Sequence, residues 1–276
     1  MEYIANDLFK ITVNNIGGSL TSILDLKNNR ELIHQIDDGG WKFQDVMIFP
    51  IIGQYEYSVN DKTYNIPSRH GFIREKEFEF RKLNSTTLIA TYVSSKIDLD
   101  YYPYKFIYEI KYELIYNKYR VTFKIINLSD INMFFSLGNH LGIKIDNSSY
   151  IDLNNNITYL PIINGNILLS EKILNFDKIS LNNNVFDELD TIILLNKTKK
   201  ITLHTDFYNF DYDLNSPLIA LWQNSKTNNF ICVEPWWGIA SYNNEPKTLN
   251  NRLYINKLSP NESAIYSFSI TINKIN

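Results

Sequence analysis

The sequence predicts an all-β fold of the sandwich or barrel type, from the period of its hydrophobic pattern, the residue types in that pattern and the spacing of its turns. Apolar and polar residues alternate with a period of two rather than 3.6, as in strands that have one buried face. The alternating segments are rich in β-branched and aromatic residues, which are favoured in strands. Clusters of Asn, Asp and Gly, which favour turns, separate them. Many short strands at this spacing are typical of sandwiches and barrels.

The strand-like segments and the turns between them extend over most of the chain. Clear alternation runs through residues 9–13, 77–81, 106–114, 119–125, 200–204 and 264–272. Turn-forming clusters lie at residues 14–18, 28–29, 60–61, 127–130, 154–156 and 182–184. Helical turns are predicted only as short pieces, around residues 33–37 and 183–189. No linker, tandem repeat or block of like charge interrupts the pattern, so residues 1–276 are predicted to form a single domain.

Composition and charge narrow the functional classes. With 276 residues, of which 44% are hydrophobic, the chain can build a large core. Its formal net charge of −3 gives no electrostatic reason to expect a nucleic acid or an anionic membrane as partner. The sequence has no 18-residue apolar run and no signal-peptide pattern. Cys232 is the only cysteine and allows no intramolecular disulfide, so a cytoplasmic location is expected.

The segment 230–238, Phe-Ile-Cys-Val-Glu-Pro-Trp-Trp-Gly, places one carboxylate at the end of an apolar run. The run predicts a buried strand, and a carboxylate there must find a hydrogen-bond partner or shift its pKa. Both conditions suit a general base that reaches a polar, ring-shaped ligand, and a sugar is the leading hypothesis. The alternative is that Glu234 forms a salt bridge at a strand end while Trp236 and Trp237 pack in the core.

Two further segments carry histidines in settings that suit a site. Residues 67–74 form a loop containing Arg69, His70 and Arg74, and loops placed by a rigid sheet often hold functional groups. The guanidinium of Arg74 offers a planar fork of donors for ring and hydroxyl oxygens. In residues 136–143, His140 lies in an apolar strand between two glycines, a pattern that marks a bulge or the close approach of a ligand. The alternative for residues 67–74 is a surface turn, and the alternative for His140 is a structural histidine in the core.

The remaining reactive side chains are predicted to be structural. His34 and His204 are expected to be structural or to face solvent. Cys232 lies in an apolar strand with no adjacent base, so a buried small hydrophobe is favoured over a nucleophile. The four histidines are far apart in sequence, and no His-x-His or Cys-x-x-Cys pair exists, so no metal site is predicted.

These segments, taken in order, resemble the aldose 1-epimerase (galactose mutarotase) family, and within it the LacX-like branch. The resemblance runs nearly from end to end, and several ordered motifs in one chain are more specific than any one of them. The matching segments are residues 18–23, 31–35 with Trp41, 48–53, 70–74 (His-Gly-Phe-Ile-Arg), 232–240 (Cys-Val-Glu-Pro-Trp-Trp-Gly-Ile-Ala) and 258–263.

The resemblance implies a galactose mutarotase-like antiparallel β-supersandwich. It also implies a reaction that interconverts the α and β anomers of a free aldose without a metal or organic cofactor. In this reading Glu234 is the general base on the anomeric hydroxyl, and His140 is the general acid on the ring oxygen. The acid and the base are expected on two sides of the sugar. Glycoside hydrolysis would usually require a second carboxylate, and none of equal character is evident beside Glu234.

Substrate-binding residues follow from the same resemblance. His70 and Arg74 would hold the sugar and steady charge at the ring. Trp236 or Trp237 would form the floor of the site. Asp190 corresponds to an acidic substrate-binding position, with spacing that differs by about one residue.

One departure from the family pattern supports a different class of function. The family usually has Pro and an aromatic residue after the catalytic His, where this chain has Leu141-Gly142-Ile143. The alternative is therefore a non-catalytic sugar-binding or sensing protein that keeps the fold. The epimerase is favoured because candidates for the acid, the base and the arginine all remain.

The charge of the ligand distinguishes an epimerase of neutral aldoses from a further alternative, a hexose-6-phosphate 1-epimerase. Such an enzyme must hold a dianion, which usually requires several Arg or Lys side chains at one site. Side-chain alternation argues against Arg69 and Arg74 both facing the pocket, so a neutral aldose is predicted as the small-molecule partner. No nucleic acid or membrane is expected to bind, and a homodimer is a hypothesis. The sequence leaves the sugar, the oligomeric state and the pathway open.

Overall fold

A computed structural model of the chain confirms the predicted all-β fold. It describes residues 1–153, 157–163, 166–174, 177–181, 186, 191–195, 200–224 and 227–275. The helical turn predicted around residues 183–189 lies, apart from Phe186, outside the described residues, as do the turn clusters at 154–156 and 182–184. The turn predicted around residues 33–37 is confirmed in part, because a 3₁₀ helix begins at Ile36 and ends at Asp38.

The described residues form short antiparallel strands joined by turns. In chain order the strands are β1 (Glu2–Ala5), β2 (Phe9–Val13), β3 (Leu20–Asp25), β4 (Arg30–Glu31), β5 (Asp45–Ile48), β6 (Glu56–Val59), β7 (Lys62–Asn65), β8 (Glu79–Asn84), β9 (Thr87–Val93), β10 (Phe106–Ile115), β11 (Lys118–Asn127), β12 (Met133–Phe135), β13 (Leu137–Lys144), β14 (Tyr150–Asp152), β15 (Ile157–Leu160), β16 (Ile162–Ile163), β17 (Asn166–Ile167), β18 (Lys172–Leu174), β19 (Lys178–Ser180), β20 (Thr191–Leu195), β21 (Lys200–His204), β22 (Tyr208–Leu214), β23 (Leu218–Trp222), β24 (Phe230–Trp237), β25 (Asn256–Leu258) and β26 (Ser263–Lys274). Further 3₁₀ helices are Ile73–Glu75, Ile97–Asp100 and Leu249–Asn251. Within this part of the chain, no helix has the length and apolar character needed to cross a bilayer.

Two large antiparallel sheets contain most of these strands. One has nine strands in the order β19-β14-β21-β22-β26-β11-β10-β9-β8, and the other has seven in the order β18-β15-β20-β23-β24-β13-β5. A four-stranded sheet, β1-β2-β3-β4, and three two-stranded ribbons complete the described architecture. The long central strands β10 and β11 alternate buried and half-buried residues, as the period of two predicted.

The main hydrophobic core lies between the nine-stranded and the seven-stranded sheet. Buried side chains of β10 and β11 join one cluster with Ile231, Val233 and Trp237 of β24. The rings of Phe123 on β11 and Trp237 on β24, for example, have centroids 6.2 Å apart. Because β11 and β24 belong to different sheets, the two sheets pack face to face as a sandwich.

The seven-stranded sheet is also covered on its other side, which we call the outer face. Strand β24 is buried along its whole length and β13 along nearly all of it, so both read as continuous apolar runs in the sequence. A second apolar cluster covers this face and consists of Ile48, Ile52, Leu160, Ile167, Ile193, Leu218, Ala220, Trp236, Ile239 and Tyr242. Polar side chains that β13 and β24 direct to the outer face are therefore held on rigid strands and shielded from bulk water.

Candidate active site

A cavity of about 360 Å³ opens on the outer face of the seven-stranded sheet. Five of its strands contribute Val46, His140, Thr191, Trp222, Glu234 and Trp236 to the cavity wall. The other described lining residues come from β16, β17 and connecting segments: Gly40, Trp41, Gly53, Arg69, His70, Arg74, Ile162, Ile167, Asn224 and Ala240. The cavity falls within the range of about 300–1,000 Å³ that is typical of small-molecule sites.

Alternation along β24 directs Glu234 and Trp236 into this cavity. Successive side chains of a strand point to opposite faces, so Glu234 and Trp236 share the outer face. The indole Nε1–H of Trp236 donates a hydrogen bond of 3.1 Å to Oε2 of Glu234, which fixes the orientation of the carboxylate. Trp237 points the other way and packs against Phe123 and Tyr266 in the main core. Of the two tryptophans proposed as the floor, the structure places Trp236 in the described lining and Trp237 outside it.

His140 lies opposite Glu234 on the adjacent strand β13. The pairing of β13 with β24 is interrupted between the pairs Gly138–Trp236 and Gly142–Cys232. Pro235, which has no N–H to donate, lies in this interval. Nε2 of His140 is 3.3 Å from Oε1 of Glu234, and the two side chains are only 10% and 2% exposed. The acid and base candidates are therefore in contact across one pair of strands.

The two glycines that bracket His140 make room for aromatic rings. A Cβ atom on Gly138 would lie 3.0 Å from Cδ1 of Trp236, and one on Gly142 would lie 3.4 Å from Cζ3 of Trp41. Trp41 in turn stacks on His140, with ring centroids 4.7 Å apart. The sequence pattern that indicated a bulge or a ligand therefore reflects the packing of tryptophans around the imidazole.

Backbone hydrogen bonds hold the loop at residues 67–74 against residues 49–53. The N–H of His70 donates to the carbonyl oxygen of Gly53 (2.6 Å), and the N–H of Phe49 donates to the carbonyl oxygen of His70 (3.3 Å). His70 and Gly71 have left-handed φ angles of 67° and 83°. A Cβ atom on Gly71 would lie 1.9 Å from the carbonyl oxygen of Phe49, so only glycine fits there. This turn brings the ring of His70 within 5.9 Å of the ring of His140, measured between centroids.

Hydrogen bonding and charge define the protonation state of His70. The N–H of Gly53 donates to Nδ1 of His70 over 3.2 Å, so Nδ1 is an acceptor and the neutral ring carries its proton on Nε2. Burial and the positive charges of Arg69 and Arg74 lower the pKa of His70 to about 3. His70 is therefore neutral near pH 7 and offers Nε2–H to an acceptor.

Both arginines of the loop line the cavity, which corrects the expectation that they would not face it together. Side chains point strictly to alternate faces only along an extended backbone. Between Arg69 and Arg74 the backbone is not extended, because His70 and Gly71 have left-handed φ angles. Arg74 lies in the 3₁₀ helix Ile73–Glu75, and its side chain is 18% exposed. The site thus contains two guanidinium groups instead of one.

The electrostatic environment of His140 opposes its positive charge. Burial is the largest cause of a pKa far below the usual range, and electrostatic interactions with His70, Arg69 and Arg74 act in the same direction. The carboxylate of Glu234 acts against them, because a nearby negative charge favours the imidazolium. Among the described residues, Nδ1 of His140 has no hydrogen-bond partner. At this distance the imidazole and the carboxylate titrate as a coupled pair.

Trp222 and Asn224 are lining residues that no sequence motif singled out. Trp222 stands edge-on to His140, with centroids 5.3 Å apart, and Trp41 packs against it as well. The side chain of Asn224 donates a 2.7 Å hydrogen bond to the carbonyl oxygen of Gly40, beside Trp41. Trp222 ends the apolar run 218–222 just before a polar turn, and this position was the available signal.

The other sequence predictions for individual residues can be placed as follows. Asp190 lies outside the described residues. His34 is buried, with Nε2 2.9 Å from the carbonyl oxygen of Trp41, and His204 forms a hydrogen bond within its own hairpin, so both are structural as predicted. Cys232 is buried, and burial raises the pKa of its thiol, which confirms the apolar reading. In the ranges that the structure describes, no group of three or more His, Cys, Asp or Glu side chains is placed to hold a metal ion.

Solved structures with the same architecture define the class of protein. A galactose mutarotase related enzyme from Lactobacillus acidophilus superimposes with a TM-score of 0.93 at 25% identity, over 99% of this chain and 97% of that chain. A galactose mutarotase-like protein from Lactobacillus casei gives a TM-score of 0.89 at 21% identity, over 99% of this chain and 100% of that chain. The fold is therefore the galactose mutarotase-like antiparallel β-supersandwich.

Sequence comparison identifies the family. The profile of the aldose 1-epimerase family matches residues 3–244, so the chain belongs to that family. The chromosomal LacX protein of Lactococcus lactis subsp. lactis is 25% identical over 296 aligned residues, which cover 98% of each chain, and its plasmid-encoded counterpart matches equally. The resemblance recognised in the sequence motifs is confirmed at the level of family and fold.

Proposed function

We propose that the protein is an aldose 1-epimerase that interconverts the α and β anomers of a free aldose by acid–base ring opening. The contact of 3.3 Å between Nε2 of His140 and Oε1 of Glu234 carries this proposal. The two atoms lie in a cavity lined by Trp41, Trp222 and Trp236, whose rings suit the apolar face of a sugar. Family membership supports the same reaction class.

One proton cycle accounts for the chemistry. Glu234, as carboxylate, takes the proton of the anomeric hydroxyl while His140, as imidazolium, gives its proton to the ring oxygen. The bond between C1 and the ring oxygen breaks, and an open-chain aldehyde forms. After rotation about C1–C2 the hydroxyl oxygen attacks the other face of the carbonyl. It returns its proton to His140, and the new anomeric oxygen takes the proton back from Glu234.

The adjacency of the two groups differs from the expected arrangement, in which acid and base lie on two sides of the sugar. The anomeric oxygen and the ring oxygen are bonded to the same carbon atom, so neighbouring acid and base atoms can serve both. The pair needs one shared proton, and the Glu234 carboxylate supports the imidazolium form of His140 against burial. Trp236 holds the second carboxylate oxygen, which leaves Oε1 directed at His140.

Other lining residues supply binding and orientation. His70 presents Nε2–H, because its Nδ1 accepts the hydrogen bond from Gly53, and that donor suits a hydroxyl or ring oxygen. The guanidinium of Arg74 adds a fork of donors to the cavity lining. Asp190 stays a proposed substrate ligand from the family motif.

A non-catalytic sugar-binding protein is the second candidate, and the residues after His140 are the observation in its favour. Leu141 is buried in the main core, so it cannot replace a residue that borders the sugar. The space beside Gly142 is bordered by Phe230, His34 and Trp41, and Trp41 stacks on His140. The wall beside His140 is therefore built from a tryptophan on another segment, and the two candidates predict different behaviour with a bound sugar.

Anomer interconversion measured alongside binding separates the two functions. A crystalline single anomer is dissolved at low temperature, and its optical rotation is followed with and without protein, for a panel of aldoses. Calorimetric titration of the same aldoses gives their affinities. The proposal predicts that at least one bound aldose equilibrates faster than in buffer, in proportion to protein concentration. Binding without acceleration for any aldose of the panel would favour the sensing protein.

A further inference from the structure

We infer that the cavity takes an aldose that carries an anionic group, a phosphate or a carboxylate, held by Arg69 and Arg74. The inference rests on the proposed function for the position of the sugar ring and goes beyond it in assigning the charge of the substrate. It replaces the neutral aldose predicted from sequence. That prediction assumed that the two arginines do not face the pocket together, whereas both line the cavity.

The charges of the described lining are unbalanced. Arg69 and Arg74 bring two positive charges, and Glu234 brings the single negative charge, so the described lining, which does not include Asp190, has a net charge of +1. The chain as a whole has a formal net charge of −3. The carboxylate of Glu234 is engaged by His140 and Trp236. A positive concave surface on an acidic protein attracts anions to that place rather than to the general surface.

The two guanidinium groups lack acceptors among the described residues, which matters most for Arg74, because its side chain is 18% exposed whereas Arg69 is exposed to solvent. Among the described residues neither Arg69 nor Arg74 donates a hydrogen bond. The one ion pair of Arg74 in those residues joins its Nε to Oε1 of Glu75 over 3.8 Å, and the Glu75 side chain is 56% exposed. An exposed pair at that distance is weak. Burial lowers the pKa of Arg74, which shows that desolvation outweighs this partner.

Arg252 shows how the same fold treats an arginine with a purely structural role. Its side chain is 2% exposed, and it forms an ion pair with Glu245. It also donates to the carbonyl oxygen of Ala240 over 3.2 Å and lies 3.6 Å above the ring of Tyr55. The guanidinium of Arg252 thus has hydrogen-bond acceptors for its N–H groups and an aromatic ring against its planar face. Arg74 has a ring contact with Phe43 at 5.1 Å but no comparable acceptor in the described residues.

An anionic group provides what these two side chains lack. Guanidinium forks bind phosphate and carboxylate oxygens through paired, charge-assisted hydrogen bonds, whereas a sugar hydroxyl leaves the positive charge uncompensated. An anion there also bears on the catalytic pair, because Arg69 and Arg74 are among the charges that disfavour the imidazolium of His140. Bound next to the arginines, the anion offsets that effect and favours the protonated acid.

Calorimetric titration with matched sugars tests the inference without relying on turnover. The ligands are D-glucose, D-glucose 6-phosphate and D-glucuronate, together with the same three forms of D-galactose, at fixed ionic strength. The variants are Arg69→Gln and Arg74→Gln. Arg81→Gln is the matched control, because Arg81 is an exposed arginine on the edge strand β8 and the change in net charge is identical.

The expected result is that, in at least one configuration, an anionic form binds about tenfold or more tightly than its neutral hexose. Each of Arg69→Gln and Arg74→Gln should reduce that preference about tenfold, and Arg81→Gln should leave it unchanged. Preference for the phosphate or for the carboxylate identifies the anionic group, and both support the inference. Equal affinity for neutral and anionic forms, or a preference that survives both cavity variants, overturns it. Absence of binding by all six sugars contradicts the proposed function itself.

Discussion

Strand β13 directs two neighbouring buried polar side chains to opposite faces of its sheet, and the two differ in how fully their hydrogen bonds are satisfied. On the core side, Asn139 donates a 2.6 Å hydrogen bond to Oδ1 of Asp45 on β5. The second oxygen, Oδ2, accepts the backbone N–H of Leu20 at 2.9 Å. Both carboxylate oxygens of Asp45 are thus occupied, and the pair joins β13, β5 and β3 beneath the cavity.

On the cavity side, His140 is in contact with Glu234, but its Nδ1 has no partner in the described residues. Arg74, whose side chain is 18% exposed, has no hydrogen-bond acceptor in those residues either. Buried polar groups in proteins are nearly always paired, so groups left without partners require an explanation. The comparison of these two neighbours shows that polarity alone does not locate a site in this fold. Asn139 is bonded to Asp45 within the protein, whereas His140 keeps a nitrogen without a partner in the described residues, and we infer that the imidazole is available to a ligand.

The largest effect on the rate of anomer interconversion should come from breaking the cavity pair, His140 and Glu234. His140→Asn and Glu234→Gln should each lower the rate of anomer interconversion by about 10²-fold or more, and the double variant should be hardly worse, because both protons move in one ring-opening event. Thermal unfolding of the same variants separates a loss of rate from a loss of folded protein. Polarimetry of all three variants tests this, and multiplicative losses in the double variant would show that the residues act in separate steps.

The core pair, Asn139 and Asp45, should lose stability rather than activity when it is broken. Asn139→Leu leaves Oδ1 of Asp45 without its donor and should reduce the free energy of unfolding by about 1–3 kcal/mol. Anomer interconversion per folded molecule should stay near the parent value, because Asn139 does not line the cavity. Urea unfolding with the activity assay measures both quantities. A stable but inactive Asn139→Leu protein would contradict the division between the two faces.

The pH dependence of stability should carry opposite contributions from the two faces. The unfolded chain protonates His70 near its usual pKa of 6.5, whereas in the folded chain burial and the nearby arginines lower that pKa to about 3. As pH falls from 6.5 towards 3, His70 therefore removes about 1.4 kcal/mol of stability per pH unit. Burial raises the pKa of Asp45 from 3.8 to about 7, so the folded state takes up a proton that the unfolded state does not. This group adds about 1.4 kcal/mol of stability per unit as pH falls from 7 towards 4.

Between about pH 6 and 5 the contributions of His70 and Asp45 should nearly cancel. Asp45→Asn should expose the loss of about 1.4 kcal/mol per unit of falling pH that is due to His70, whereas His70→Gln should expose a gain of similar size that is due to Asp45. Urea unfolding at several pH values measures the slopes. An unchanged slope in both variants would show that these residues titrate alike in the folded and unfolded chain.

The smallest expected effect is that of chelation. The predicted chemistry uses side-chain protons on the cavity face, and the sequence lacks paired ligands with metal spacing. Incubation with EDTA followed by its removal should leave the rate of anomer interconversion at the parent value. Loss of activity that a specific divalent ion restores would assign a role to a metal.

The strands and the main site residues could be predicted because they obey local rules. Alternation located β10, β11 and β26, and ordered motifs located Glu234, His140 and the loop at 70–74. Trp237 was harder to place, because an apolar run buried on both faces does not show which of two adjacent tryptophans faces the cavity. The orientation of Arg69 relative to Arg74 depends on left-handed backbone at His70 and Gly71, which breaks the alternation. Trp222 joins the site by pairing with Cys232 on the next strand, β24, and its place beside His140 depends on the further pairing of β24 with β13, which no local pattern shows.

The most direct test of the central claim is the anomer exchange rate of Glu234→Gln, measured by NMR magnetisation transfer at anomeric equilibrium, with affinity determined on the same sample. Glu79→Gln is the matched control, because it makes the same change at an exposed position of β8. We predict that Glu234→Gln binds the sugar nearly as well as the parent but exchanges anomers about 10²-fold or more slowly, while Glu79→Gln exchanges them at the parent rate. Exchange at the parent rate in Glu234→Gln would contradict the assignment of Glu234 as the base.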